Sequence, residues 1–140
     1  MLTNRIFRMR KVEGFMSKPK VVVLGAGYAG LITTRHLTKK LSEEEAEIVL
    51  INKHNYHYES TWLHEVAAGT INPNQARVMI SDVVNPNRVR LIYDTVVEVN
   101  KDEQRVVLEN SEVTYDYLVI GLGFVTNTFG ITGKIGRAHV

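Results

Sequence analysis

The run Val21-Val22-Val23-Leu24-Gly25-Ala26-Gly27-Tyr28-Ala29-Gly30-Leu31 decides the fold. Four β-branched or leucine residues in a row suit a strand buried on both faces. Glycines at 25, 27 and 30 then give the spacing GxGxxG. Gly25 permits a tight turn out of the strand, Gly27 removes a side chain that would keep a pyrophosphate from the backbone, and Gly30 lets the following helix pack closely on the strand. A phosphate at that helix N-terminus would meet unpaired N–H groups and the positive end of the macrodipole.

Three glycines at this spacing also occur in ordinary loops, so the context carries the reading. Leu31, Thr34, Leu37 and Leu41 recur at helical spacing, with Arg35, Lys39 and Lys40 on the other side. Ser42-Glu43-Glu44-Glu45 makes a solvated connection, and Ile48-Val49-Leu50-Ile51 is a second run of buried-strand type. The unit is βαβ, which predicts an α/β, Rossmann-like dinucleotide-binding domain with a parallel sheet. In such folds the second strand usually ends in an acid that accepts hydrogen bonds from the ribose. Here that position is Asn52, 22 residues after Gly30, and an amide oxygen accepts more weakly than a carboxylate.

Further along, residues 59–68 have helical character and Gly69 is placed as the C′ residue. Residues 71–74 read as a turn. Residues 77–80 suit a short strand or the approach to a short helix at 82–84, which Asn85-Pro86-Asn87 ends. Strand-like runs follow at 89–93, 95–99 and 105–108, the last two joined by a turn at 100–103 and forming a β-meander inserted in the fold. Leu118-Val119-Ile120-Gly121-Leu122-Gly123 is another buried run ending in glycine.

The 140 residues, 44% of them hydrophobic, suffice for one domain with a core, and no apolar run reaches the length of a bilayer span. There are no cysteines, which removes disulfides, thiolate metal sites and a redox dithiol from this sequence. The net charge of +2 comes from the first fifteen residues, where Arg5, Arg8, Arg10 and Lys11 stand against Glu13. Without them 13 basic residues face 14 acidic ones. No nucleic-acid partner is expected of such a body. Residues 1–15 read as a non-native leader, because Met16-Ser17-Lys18-Pro19-Lys20 runs straight into the first strand and Val12-Glu13-Gly14 can be encoded by a GGAGG-type ribosome-binding stretch. Ile135 to Val140 is what ATC GGA AGA GCA CAC GTC encodes, a string that resembles a sequencing adapter. On that reading residues 16–133 are the N-terminal part of a domain, incomplete as it stands, and 134–140 are an artefactual tail. His54, His57, His64 and Glu65 lack the HExxH arrangement, so no metal site is expected.

Taken in order, the glycine loop, the meander and Thr114-Tyr115-Asp116-Tyr117-Leu118-Val119-Ile120-Gly121-Leu122-Gly123 resemble the flavoproteins with two dinucleotide-binding domains. In that group the second segment usually reads YDYLVIATG. The stretch from Asn52-Lys53-His54-Asn55-Tyr56-His57-Tyr58-Glu59 through Gly69 is most similar to bacterial type II NADH:quinone oxidoreductases. The resemblance implies a peripheral membrane flavoenzyme on the cytoplasmic face, possessing FAD, taking hydride from NADH and reducing a quinone without pumping protons. It implies that Gly25, Gly27 and Gly30, with Tyr28 and Ala29 between them, face the FAD pyrophosphate. Asn52 and Lys53 would contact the adenosine ribose, Thr61 the flavin, and Val97 the adenine through its backbone, while Gly121, Leu122 and Gly123 would close the site. A domain for NADH, the quinone site and membrane-docking helices would involve sequence beyond Val140, so the piece alone is not expected to turn over, and the resemblance allows a homodimer. A stand-alone module binding NAD(H) or FAD, or another flavin-dependent reductase such as a sulfide:quinone reductase, are the alternatives.

Overall fold

The computed structural model describes residues 17–124. The expected leader at 1–15 and tail at 134–140 lie outside the described residues, as does any reading of 125–133.

A parallel sheet forms the centre. Its strands are β1 (Lys20–Leu24), β2 (Glu47–Asn52), β5 (Val89–Tyr93) and β9 (Tyr117–Ile120), in the order β5-β2-β1-β9. Helix α1 (Tyr28–Lys40) joins β1 to β2. Val21 pairs with Ile48 on one side and with Tyr117 on the other, so β1 is hydrogen-bonded along both edges. The chain builds outward from β1 through β2 to β5 and then returns to place β9 on the opposite side of β1. That reversal puts the carboxyl ends of β1 and β9 side by side, the place where open α/β sheets bind ligands.

Alternation along each strand explains why the apolar runs are unbroken. Val23, Ile48 and Leu50 face a layer with Leu31 of α1 and with Ile80 and Val84. Val22, Leu24, Val49 and Ile51 face the other way, onto Val106, Leu108 and Val113. Successive side chains of a strand point to opposite faces, and here both faces are covered. Each such fully buried aliphatic side chain contributes about 1.5–3 kcal/mol.

The second cover is the meander, an antiparallel sheet of β6 (Val96–Asn100), β7 (Arg105–Leu108) and β8 (Glu112–Thr114). The sequence announces its first two strands but not β8, in which only Val113 is turned inward; a single buried residue carries no period. A two-stranded ribbon of β3 (Tyr56–Tyr58) and β4 (Arg77–Met79) is the other addition. Between these strands the expected helix at 59–68 is split into a 3₁₀ turn (Ser60–Trp62) and α2 (Leu63–Ala68), which ends at Gly69 in the left-handed region, φ 75°. The helix expected at 82–84 starts earlier, as α3 (Ile80–Val83), because Ile80 is fully buried against the sheet. Among the described residues no helix is long and apolar enough to cross a membrane.

Candidate functional site

At the carboxyl end of β1 the chain packs backbone against backbone. A Cβ on Gly30 would lie 1.8 Å from the Gly25 carbonyl oxygen, and one on Gly25 would lie 2.4 Å from the Gly121 carbonyl oxygen. Gly25 also has φ 90°, where a side chain is strained regardless of space. The Gly25 N–H donates to Ile51 O at 2.7 Å and the Gly121 N–H to Leu24 O at 2.8 Å. The two glycine motifs, with Gly25 and Gly121 96 residues apart in the chain, therefore form one corner.

Gly27 differs from these two. A Cβ there would meet nothing within 4 Å, so no protein atom requires this glycine. It is the N-cap of α1, has no side-chain cap, and no acid occupies the first turn. The first N–H groups of a helix lack intrahelical acceptors, and these are left for another partner. The chain thus presents clear space in front of an uncapped helix end, a cradle suited to a phosphate.

The cradle opens into a cleft of about 450 Å³, within the range of small-molecule sites. Gly25, Gly27, Tyr28, Asn52 and Lys53 line it, together with Gly121, Leu122 and Gly123. Of the residues expected from sequence, Ala29, Gly30, Thr61 and Val97 do not line it. Gly30 is buried under the loop, Thr61 is exposed on the 3₁₀ turn, and Val97 is 62% exposed on β6. Val96, its neighbour, does reach the cleft wall. A second hollow of about 530 Å³ lies at the opposite end of the strands. Its Arg88 guanidinium already donates to the carbonyls of Leu41, Ser42 and Ala46, so that end serves to close the α1–β2 connection.

Three residues at or beside the cleft carry no specific role in the sequence. His57, 8% exposed, donates from Nδ1 to the Ala26 carbonyl at 2.8 Å, and its ring meets that of Tyr28 edge to face at 4.8 Å. Its Nε2 is buried with no hydrogen-bond partner. Glu59 accepts from the hydroxyls of Tyr28 and Thr61 on the same carboxylate oxygen, Oε1. Those hydrogen bonds, Tyr28 first, hold its carboxyl below the usual range. Asp94, at the end of β5, lines the cleft. Burial pushes its carboxyl up, but hydrogen bonds from Thr95, Asn110 and Ser111 more than offset this and leave it lowered. The alternation of Tyr56-His57-Tyr58 was the available signal for His57, since a three-residue strand with its aromatics outward turns the histidine inward. Among the described residues no group of three His, Cys, Asp or Glu could hold a metal ion.

The pyridine nucleotide-disulphide oxidoreductase family profile matches residues 19–140. The chain is 47% identical over 121 residues to the type II NADH:quinone oxidoreductase of Staphylococcus aureus, covering 86% of this chain and 30% of that protein. The chain thus spans about 30% of the length of the curated relatives it matches. Among solved structures, NDH2 from Plasmodium falciparum in complex with NADH superimposes with a TM-score of 0.68 at 25% identity, over 82% of this chain and 24% of that one. The sulfide:quinone oxidoreductase of Aquifex aeolicus gives 0.64 at 25% identity, over 76% of this chain and 24% of that one.

Proposed function

The chain belongs to the pyridine nucleotide-disulphide oxidoreductase family, and from that premise we propose that it is the FAD-binding part of an NADH:quinone oxidoreductase of type II. The observation that carries the proposal is the cradle at Gly27: open space in front of an uncapped helix N-terminus, at the reversal point of a parallel sheet. The FAD pyrophosphate belongs there, held by backbone N–H groups of the Gly25–Gly30 loop. Lys53, exposed at the cleft, is placed to meet the adenosine half. Gly121 to Gly123 bound the cleft where small residues let a flat ring approach the backbone. Thr61 and the Val97 backbone are the remaining proposed contacts, to flavin and adenine.

When bound, the flavin supplies the hydride and electron chemistry. This chain supplies position: the glycine corner fixes where the pyrophosphate sits, and the apolar sheet ends exclude water from one side. The chain has no cysteine, so transfer from NADH to quinone by flavin alone is the reading its residues support, in preference to the thiol chemistry in the family's name. NADH, quinone, peripheral attachment at the cytoplasmic face of the membrane and homodimer formation belong to the same proposal, at the level of the longer relatives.

An absorbance spectrum of the purified chain mixed with FAD and freed of excess ligand tests it. Flavin bands that stay with the protein are the expected result. A colourless protein that instead binds NADH with a 1:1 stoichiometry would overturn it.

A further inference from the structure

We infer that Asn52 is a positioning residue for the glycine loop and that it shares this task with His57. The inference rests on the dinucleotide-site reading above. Ala26, the residue between Gly25 and Gly27, is 2% exposed, and both of its backbone groups are held by side chains. Its N–H donates to Asn52 Oδ1 at 2.9 Å, and its carbonyl accepts from His57 Nδ1 at 2.8 Å. One clamp arm comes from the end of β2 and the other from β3. The loop therefore takes its shape from the protein before any ligand arrives, which lowers the ordering cost of binding.

The amide is required at position 52 by its second bond. Asn52 Nδ2 donates to the His54 carbonyl at 2.8 Å. One atom faces a donor and the other an acceptor, so the orientation of the amide follows from its partners. The acid usual at this position in dinucleotide folds could accept from Ala26 N–H. It has no proton for His54, and would set a carboxylate oxygen against a carbonyl oxygen. In place of the usual acid stands Asn52, whose amide keeps one lone pair and one N–H beyond these two bonds. It is a residue doing two things, of which a carboxylate can do one. The imidazole is fixed by the same logic: a carbonyl only accepts, so the proton sits on Nδ1.

The test compares the 140-residue chain with N52D and N52L, each checked by far-UV circular dichroism. Affinities for FAD, ADP and 2′,3′-dideoxy-ADP are measured by calorimetry, and the Tm of the ligand-free protein is recorded. The expected result is a loss of about tenfold in FAD and ADP affinity for N52D, a larger one for N52L, and a lowered Tm for both. The factor should be the same for ADP and its dideoxy analogue, because the clamp acts on the phosphate loop. A penalty that disappears with the dideoxy analogue would make Asn52 a ribose ligand and overturn the inference. So would N52D binding as tightly as the unaltered chain, whatever its Tm. If the unaltered chain binds none of the three ligands, the functional proposal fails; the ligand-free Tm still decides the clamp, a fall in N52D sustaining it and no change removing it.

Discussion

The two sides of the cleft are held by different means. On the β1–β9 side, main chain packs on main chain, with Gly25, Gly30 and Gly121 in contacts that leave no room for a Cβ or little of it. On the side built from residues 53–79, side chains hold one another. His54 stacks on Tyr56 at 5.0 Å, the Arg77 guanidinium lies 4.8 Å and 5.4 Å from the Tyr56 and Tyr58 rings, and Glu59 gathers Tyr28 and Thr61. A backbone contact admits one residue type, so its failure is abrupt. A side-chain network can re-form around a change, so its failures are graded.

The sharpest break should come at Gly30. A methyl group 1.8 Å from the Gly25 carbonyl oxygen cannot be relieved by rotating a side chain, since both partners are main chain. Gly30→Ala should cost about 3 kcal/mol or more, lowering Tm steeply and abolishing FAD binding with it. Gly121→Ala, where the nearest backbone oxygen is 3.2 Å away, should cost about 1 kcal/mol. Equal Tm values for the two variants would remove the distinction between an impossible and a tight contact.

Gly27 separates fold from site on that same loop. Its φ of −72° suits any residue, and no atom lies within 4 Å of the added carbon. Gly27→Ala should leave Tm within a few degrees, the cost being the poorer N-cap, about 1 kcal/mol at most. The FAD affinity should nevertheless fall at least tenfold, because the methyl group stands where the pyrophosphate approaches. Unchanged affinity in a flavin titration would move the phosphate site away from this helix end.

The same contrast explains what could be read from sequence. Gly25 and Gly30 are legible because no other residue fits those positions, the 121–123 segment because it follows a buried-type run in a known order, and the β1 and β2 runs because both faces are covered. Strands β3 and β8 are not, having three residues each and one inward side chain apiece, His57 and Val113. Asn52 stands out in the sequence as a departure, yet its partners, the Ala26 N–H and the His54 carbonyl, are main-chain atoms with no signature in the sequence. Glu59 reads as an ordinary helix start until the fold brings Tyr28, 31 residues earlier, onto its carboxylate.

On the side-chain wall, Arg77 is the member with most partners. It donates from Nε to the Tyr58 hydroxyl at 3.1 Å and from Nη1 to Asn74 Oδ1 at 3.2 Å, besides lying over two rings. Arg77→Leu keeps some of the stem packing and loses the rest. The expected cost is small, because the guanidinium is exposed, and it should be seen as a modest Tm shift without loss of FAD binding. A loss as large as that of Gly30→Ala would show that this wall is as unforgiving as the glycine corner.

The smallest expected effect is at Glu59, and it depends on pH. Hydrogen bonds from Tyr28 and Thr61 hold its carboxyl below the ordinary value of 4.5. A group depressed in the folded state contributes stability that is present above its unfolded value and lost as pH falls through the folded one. Glu59→Gln keeps a neutral oxygen that can accept from both hydroxyls and does not titrate. At neutral pH the unaltered chain should therefore be slightly the more stable of the two. As pH falls below 4.5 the gap in Tm should close, since the protonated carboxyl and the amide then offer the same neutral acceptor to Tyr28. Because Glu59 is exposed enough for solvent to screen it, the gap is small, and parallel Tm measurements across this range are needed to see it. A gap that stays constant with pH would mean that the carboxylate charge does nothing for the Tyr28 and Thr61 contacts, and that the side-chain wall is held by its aromatic and guanidinium packing alone.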